Sequence, residues 1–295
     1  MSDSIRFSII IPTRNRAKSL ARCLAALAQL DYPCAQFEIL VVDDGGDQSL
    51  AKTFAPFQNA LQISLLQQKR AGPAAARNLG AARANGTFLA FTDDDCTSAS
   101  DWLRTLETKL NALPGCAVGG RTLNALTDNI FSTASELLMH YLYTYYNRDA
   151  ERARFIASNN FAVGRAAFLE IGGFDATFPL AAAEDRDFCD RWLAHGNPLQ
   201  FAPAAKVYHA HALTLRSFFL QHWGYGRGAW YFHRARARRG QGRIRFEQSR
   251  FYRDLVLYPF AQKLERAPLL ALLLALTQIA NMGGFFWERV RGQIT

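Results

Sequence analysis

The sequence contains no Cys-x-x-Cys pair, and its five cysteines (Cys23, Cys34, Cys96, Cys116 and Cys189) are odd in number. That argues against a disulfide framework and for the reduced thiols of a cytosolic protein. No cationic leader with a long apolar segment precedes the first strand-like run, since Met1-Ser2-Asp3-Ser4-Ile5-Arg6 leads straight into it. A signal peptide is therefore not expected. There is no internal repeat and no low-complexity linker. Charged residues are 20% against 49% hydrophobic, which excludes a disordered chain. The 295 residues allow one large α/β domain with an extension, or two small domains, with ample material for a core. Acid is the scarcer charge. The formal net charge of +9 favours anionic partners (nucleotide, nucleic acid or acidic membrane) without choosing among them. The shortage is local: between Leu213 and Asp254 the only acid is Glu247.

What is present begins with an alternation of strands and helices. Phe7 to Ile11, ended by Pro12, reads as a buried strand. A helix follows with Leu20, Cys23, Leu24 and Leu27 at helical spacing and Asn15 as its N-cap, broken at Tyr32-Pro33. Phe37 to Val42 is a second strand ending at Asp43-Asp44-Gly45-Gly46, with a helix from about Gln48 to Phe57 after it. Leu61 to Leu66 is a third strand. Gly72-Pro73 opens an alanine-rich helix over 74–85, which Gly86 closes. A fourth strand over 87–92 ends at Asp93-Asp94-Asp95. Such alternation indicates a mostly parallel sheet covered on both faces, with ligands bound outside the carboxyl ends of its strands. Three of the four strand ends carry polar residues, which reads as one site built from three loops. Further on, the spacing predicts helices over 102–113, 130–147, 166–171 and 184–194. It predicts strands over 117–120, 155–163 and within 199–208.

Three consecutive carboxylates repel one another. A solvated turn is one reason to find them, and compensation by a divalent cation is another. Their place at the end of a buried strand favours the cation. Asp44 at the second strand end can accept a hydrogen bond from a nucleotide base while the glycines let the backbone approach, or it can cap the following helix. Glu184 and Asp185 suit a helix N-terminus on dipole grounds alone. An aspartate at the mouth of a pocket can equally deprotonate a hydroxyl. His209 and His211 follow a strand, where neutral imidazole is a competent metal ligand.

Six segments occur in one order: Ser8-Ile9-Ile10-Ile11-Pro12-Thr13-Arg14-Asn15-Arg16, Val41-Val42-Asp43-Asp44-Gly45-Gly46, Gly72-Pro73-Ala74-Ala75-Ala76-Arg77-Asn78-Leu79-Gly80, Phe91-Thr92-Asp93-Asp94-Asp95, Gly172-Gly173-Phe174-Asp175 and Glu184-Asp185-Arg186-Asp187-Phe188. In this order they resemble the family 2 glycosyltransferases over about residues 5–211. The resemblance implies the GT-A fold, a Rossmann-like, mostly parallel central sheet flanked by helices, and an inverting, metal-dependent transfer from a nucleoside diphosphate sugar. By the same resemblance Pro12, Thr13, Asp44, Arg77, Asp93 and Asp94 would contact the donor nucleotide, Arg77 having an ion pair on its helix as the alternative. Asp95 and His209 would hold Mn²⁺ or Mg²⁺, Asp185 would be the catalytic base, and Glu184 would contact acceptor or pyrophosphate. Gly46 stands where the family more often has serine. Gln221-His222-Trp223 lacks the arginine–tryptophan pair of processive relatives, which argues against a polymer synthase.

The division falls at 212/213, with a basic, aromatic-rich helical extension over 213–295 ending in an apolar helix. Its arginines (Arg216, Arg227, Arg234, Arg236, Arg238, Arg239, Arg243, Arg245, Arg250 and Arg253) alternate with aromatic residues. They fit a lid over the acceptor, a surface for acidic lipid or a nucleic-acid patch. The uncharged run 268–287 favours lipid, although packing in a core accounts for it as well. The expectation is a cytoplasmic enzyme, at the inner face of a membrane, that glycosylates a hydroxyl of a saccharide or lipid-linked acceptor and binds no nucleic acid. A nucleotidyltransferase is the alternative enzyme, but its glycine- and lysine-rich loop is missing after the first strand. A non-catalytic module bound to membrane or nucleic acid would leave Asp44, Asp95 and Asp185 without a purpose.

Overall fold

The computed structural model describes residues 4–178, 182–241 and 246–291. Met1 to Asp3, part of the loop before Ala183, and Arg243 and Arg245 lie outside the described residues. In chain order the elements are β1 (Phe7–Thr13), α1 (Ala17–Leu27), β2 (Phe37–Asp44), α2 (Ala51–Phe54), β3 (Ile63–Gln68), α3 (Pro73–Arg83), β4 (Phe88–Thr92) and β5 (Cys96–Ser98). Then come α4 (Trp102–Ala112), β6 (Ala117–Asn124), α5 (Ile130–Tyr146), β7 (Asn160–Gly164), α6 (Arg165–Glu170), α7 (Glu184–Ala194) and β8 (Leu199–His209). Three helices complete the chain: α8 (Leu215–Arg238), α9 (Ser249–Ala261) and α10 (Ala267–Arg291).

One eight-stranded sheet runs in the order β3-β2-β1-β4-β7-β6-β8-β5. β1 pairs parallel with β2 on one side and β4 on the other, so the chain reverses its direction of winding at β1. A crevice opens at such a reversal, outside the carboxyl ends of the strands. β7 is antiparallel to β4 and β6, which brings the carboxyl ends of β6 and β8 to the same rim as those of β1, β2 and β4. The site is thus set by topology before any side chain is placed. The helices cover both faces, with one core around Leu24, Trp102 and Leu106 and another around Phe91, Phe161 and Phe188. A third core joins Leu137, Leu138 and Tyr141 of α5 to Phe218, Phe251, Leu255 and Leu274 of α8, α9 and α10. The C-terminal helices therefore complete their core with a helix from the first part of the chain.

Four local expectations need correction. Asn15 does not cap α1: it sits at φ 55°, and its Oδ1 accepts the Asp47 N–H at 2.8 Å. The helix expected over 48–57 is only α2 and one 3-10 turn at Ala55–Phe57, because Pro56 has no N–H to continue the ladder. The strand expected over 155–163 starts at Asn160. The backbone before it is satisfied by the Asn147 side chain, which accepts from the N–H groups of Arg154 and Phe155 and donates to the Phe155 carbonyl. β5 was not expected, since three residues are too few to show a period.

Candidate active site at the strand ends

The turn between β4 and β5 separates the three aspartates. The Cys96 N–H bonds the Asp93 carbonyl at 3.1 Å, and each carboxylate faces a different wall. Asp93 accepts from Arg77 Nη2 at 2.6 Å. Asp94 is buried and turned inward; Thr13 Oγ1 donates to its Oδ2 at 2.7 Å and Arg16 Nη1 to its Oδ1 at 2.8 Å. Burial pushes its carboxyl up to about 6, against the pull of Arg16 and Thr13. Asp95 shares Arg16, whose Nη1 lies 3.0 Å from Asp95 Oδ2. Arg16 is thus the internal counter-charge for two of the three acids, a role absent from the sequence reading. A basic residue within a few positions of a strand end that faces acids is the signal that would have found it.

At the end of β2, Asp44 holds the loop that leads into α3. Its oxygens accept from Gln68 Nε2 at 2.7 Å, the Ala71 N–H at 2.7 Å and the Gly72 N–H at 2.9 Å. A carboxylate offers about four acceptor positions, so one stays free. Pro12 and Thr13 line the same cleft, but the Thr13 hydroxyl is directed to Asp94 and not to Asp44. The Gly46 N–H donates to Asp43 Oδ1 at 2.9 Å. A Cβ at Gly46 would stand 2.6 Å from that oxygen, a close approach that favours glycine at the position where the family more often has serine.

Arg77 is buried and joins the donor side of the cleft to α7. Besides Asp93 it meets Glu184 Oε1 at 3.4 Å. It does form the ion pair weighed as its alternative role, but a buried one that ties α3 to the start of α7. Ala183, at φ 72°, turns the chain into α7, a conformation that costs a non-glycine residue roughly 1–2 kcal/mol. Next to it Asp185 Oδ1 accepts the Arg186 N–H at 2.7 Å. Burial raises both Glu184 and Asp185 above the ordinary carboxylate range, and Glu184 is raised further by its neighbour's charge.

The two expected metal ligands meet. His209 Nε2 lies 3.0 Å from Asp95 Oδ1, but no hydrogen-bond geometry is satisfied, so Oδ1 is a buried carboxylate oxygen with no donor. Two ligands at neighbouring corners of an octahedron about 2.1 Å from an ion stand about 3.0 Å apart. An orphaned oxygen and an imidazole nitrogen at that separation therefore fit a six-coordinate divalent cation. Cys96 completes a cluster of three within 4.8 Å, but burial pushes its thiol well above the usual range, and a protonated thiol is no ligand. Burial alone would raise Asp95, but His209 and Arg16 bring it down to about 2. Burial lowers His209, and Asp95 more than restores it, so His209 titrates above its ordinary value. Ligation needs the neutral imidazole, so metal affinity falls on acidification.

Residues 8–172 match the family described as Glycosyl transferase family 2. The chain belongs to glycosyltransferase family 2. It is 35% identical over 124 residues to the glycosyltransferase AglE of Haloferax volcanii, covering 41% of this chain and 40% of AglE. It is 29% identical over 229 residues to the pre-mycofactocin glycosyltransferase of Mycobacterium tuberculosis, covering 75% of this chain and 46% of that protein. The chain thus spans less than half the length of these two curated relatives. Among solved structures it resembles the mannosyltransferase PcManGT of Pyrobaculum calidifontis in complex with GDP-Man and Mn²⁺. That match has a TM-score of 0.63 at 20% identity, over 93% of this chain and 74% of that one. It also resembles residues 1–349 of TarS of S. aureus in complex with UDP-GlcNAc, with a TM-score of 0.56 at 16% identity over 98% and 92%. The fold is GT-A.

In this family 2 chain the cleft does not stop at Asp185. About 1710 Å³ in volume, it continues into a chamber between α5, α8 and α10. α8 turns one face to it, with Gln221, Tyr225, Ala229 and Phe232, at the spacing of successive helical turns. Gln221 Nε2 donates to the Tyr225 hydroxyl at 2.9 Å. Desolvation and the acids Asp185, Glu184 and Asp93 push the Tyr225 hydroxyl up to about 12, although the residue as a whole is 42% exposed. His222, on the chamber wall, is 1% exposed; its Nε2 lies 3.3 Å from Ser135 Oγ, and its Nδ1 has no partner among the described residues. Burial holds it at about 4, neutral in the fold. The unfolded chain takes up this proton as pH drops through the ordinary histidine value, and the fold does so only near 4. Stability is therefore lost on acidification across that window. From about pH 7.5 to about pH 5 the loss is about 2 kcal/mol. Urea unfolding at both pH values should show a smaller acid loss for His222→Asn than for the unsubstituted protein.

Proposed function

We propose that the chain is an inverting glycosyltransferase that moves a sugar from a nucleoside diphosphate donor to a hydroxyl of a saccharide or lipid-linked acceptor, in glycan or glycolipid assembly. The observation that carries this reading is the double contact of Arg77, which sets the acid loop after β4 beside the acidic start of α7 in one cleft. The solved neighbours that hold GDP-Man or UDP-GlcNAc support a nucleotide-sugar donor. In this reading Pro12, Thr13 and the free acceptor position of Asp44 form the base end of the donor site. Asp93 faces the ribose, with Arg77 close by. Asp94 acts through Thr13 and Arg16, which it holds in place. Asp95 and His209 would hold Mn²⁺ or Mg²⁺; when bound, the cation would neutralise charge on the departing diphosphate. Asp185 takes the proton of the acceptor hydroxyl as that oxygen bonds to the sugar carbon. The bond to the diphosphate breaks on the opposite face, and the diphosphate leaves with the electron pair. A carboxyl raised by burial is the stronger base for this step. Glu184, held by Arg77, positions acceptor or pyrophosphate. The cytoplasmic placement at an inner membrane face belongs to the same proposal.

A thermal-shift screen of nucleoside diphosphates with and without Mn²⁺ tests the donor half. One nucleotide should raise the midpoint with Mn²⁺ present, by mass action, and Asp95→Ala should abolish the Mn²⁺-dependent part. No shift with any nucleotide, or an equal shift in Asp95→Ala, counts against the reading.

A further inference from the structure

One face of α10 is left uncovered among the described residues except at Trp287, whose ring also lies 6.3 Å from that of Trp223. Leu269, Leu272, Ile279, Phe286, Trp287 and Val290 point outward, with Leu272 65%, Ile279 64% and Val290 57% exposed. At 3.6 residues per turn these positions fall on one stripe, roughly 30 Å long at 1.5 Å per residue. No charge occurs from Ala267 to Trp287. Cations stand at both ends, with Lys263 and Arg266 before the stripe and Arg289 and Arg291 after it, all exposed. Two acids lie near them. Glu265 is exposed; Glu288 is buried on the opposite face and occupied by Arg227 Nε at 2.6 Å and by the Tyr231 hydroxyl.

We infer that this stripe is a docking surface for an anionic lipid bilayer, on which α10 lies flat. Length and composition alone would let α10 cross a membrane. Its inward face forbids that. A Cβ on Gly226 would meet the Asn281 carbonyl oxygen at 1.9 Å, and one on Gly284 the Trp223 carbonyl oxygen at 2.0 Å, so the backbones of α8 and α10 are in direct contact. Insertion would strip α10 from that contact and expose the Arg227–Glu288 pair to hydrocarbon. A helix with one apolar face, cations at its ends and a tryptophan near one end is built for the interfacial plane. The Arg291 guanidinium over the Trp287 ring at 5.8 Å places a charge and an amphipathic ring together at that end. Charge chooses the partner. Two copies stacked through the stripe would bring basic ends against basic ends in either direction, whereas acidic headgroups satisfy both ends at once.

The other flank of α10 lines the chamber with Gln278, Asn281, Met282 and Phe285. A bilayer under the stripe then lies about one helix diameter, roughly 10 Å, from the chamber. In one respect the inference rests on the function proposed above: of the two acceptor classes it selects the lipid-linked one.

Co-sedimentation with phosphatidylcholine vesicles, with and without about a quarter phosphatidylglycerol, tests the docking. The protein should partition at least tenfold more strongly onto the anionic vesicles and should be released as salt rises. Leu272→Asp combined with Ile279→Asp lies on exposed positions outside the cleft. It should keep the melting midpoint and vesicle-free donor hydrolysis while losing at least tenfold in partition. Equal binding to both vesicles, no binding, or variant binding equal to that of the unsubstituted protein overturns the inference. So does a dimer in light scattering that the double variant dissolves. Because donor hydrolysis is measured without vesicles, failure of docking and failure of the glycosyltransferase reading give separate results.

Discussion

Asp185→Asn should lower sugar transfer by 10²–10⁴-fold, the usual contribution of a positioned general base. It should leave Mn²⁺-dependent nucleotide binding intact. The amide keeps the size of the side chain and an oxygen for the Arg186 N–H, so the start of α7 is preserved; only the capacity to take a proton is lost. Stability at neutral pH should not fall. A half-buried carboxyl raised above its unfolded value favours the fold below that value and loses this contribution as pH rises through the raised one. The amide carries no such penalty. Transfer rates with nucleotide release as readout, beside melting curves for both proteins, check this. Transfer above a tenth of the original rate would remove Asp185 from the chemistry.

The second large effect is structural. Gly226→Ala should destabilise the protein by about 3 kcal/mol, at the upper end for inserting a methyl into a tight contact. That corresponds to a fall in the melting midpoint of roughly 6–12 °C. The sign makes the experiment decisive. In an open helix, glycine to alanine stabilises by about 1 kcal/mol. Gly224, two residues away on α8 and with nothing near its would-be Cβ, supplies that control, and Gly224→Ala should raise the midpoint. At Gly226 the methyl meets the Asn281 carbonyl oxygen, a backbone atom that no side-chain rotation can move. Relief requires the two helices to part, which opens the third core and the chamber together. If Gly226→Ala is as stable as Gly224→Ala, the contact between α8 and α10 is wrong, and with it the flat placement of α10.

The C-terminal arginines show how far a charge count can be read. Arg236 and Arg239 bond Asp187 and Asp190 of α7, Arg227 bonds Glu288, and Arg250 and Arg253 share Asp254. Among the described residues, Arg227, Arg236 and Arg239 thus clamp helices together, whereas Arg250 and Arg253 stay exposed and share one acid of their own helix. The exposed cations that matter for docking, Lys263, Arg266, Arg289 and Arg291, come later in the chain. Density of charge is visible in a sequence; the direction in which each side chain leaves its helix depends on what packs against it.

Legible in the sequence were the strands that begin at Phe7 and Phe37, which in the fold run past their apolar residues to Thr13 and Asp44, the strand that ends at Thr92, the helix near Glu184, and the order of segments that carries the family. These follow from periods of two and of 3.6 residues and from short runs at strand ends, which are local properties of the chain. It took the packing of distant segments to show that Arg16 neutralises Asp94 and Asp95, that His209 meets the orphaned oxygen of Asp95, that Arg77 ties Asp93 to Glu184, and that α10 turns one face inward and one outward. Each of these joins residues far apart in sequence or requires knowing which face a neighbour covers. The winding of the sheet about β1 brings such residues to one rim, and no local pattern records it.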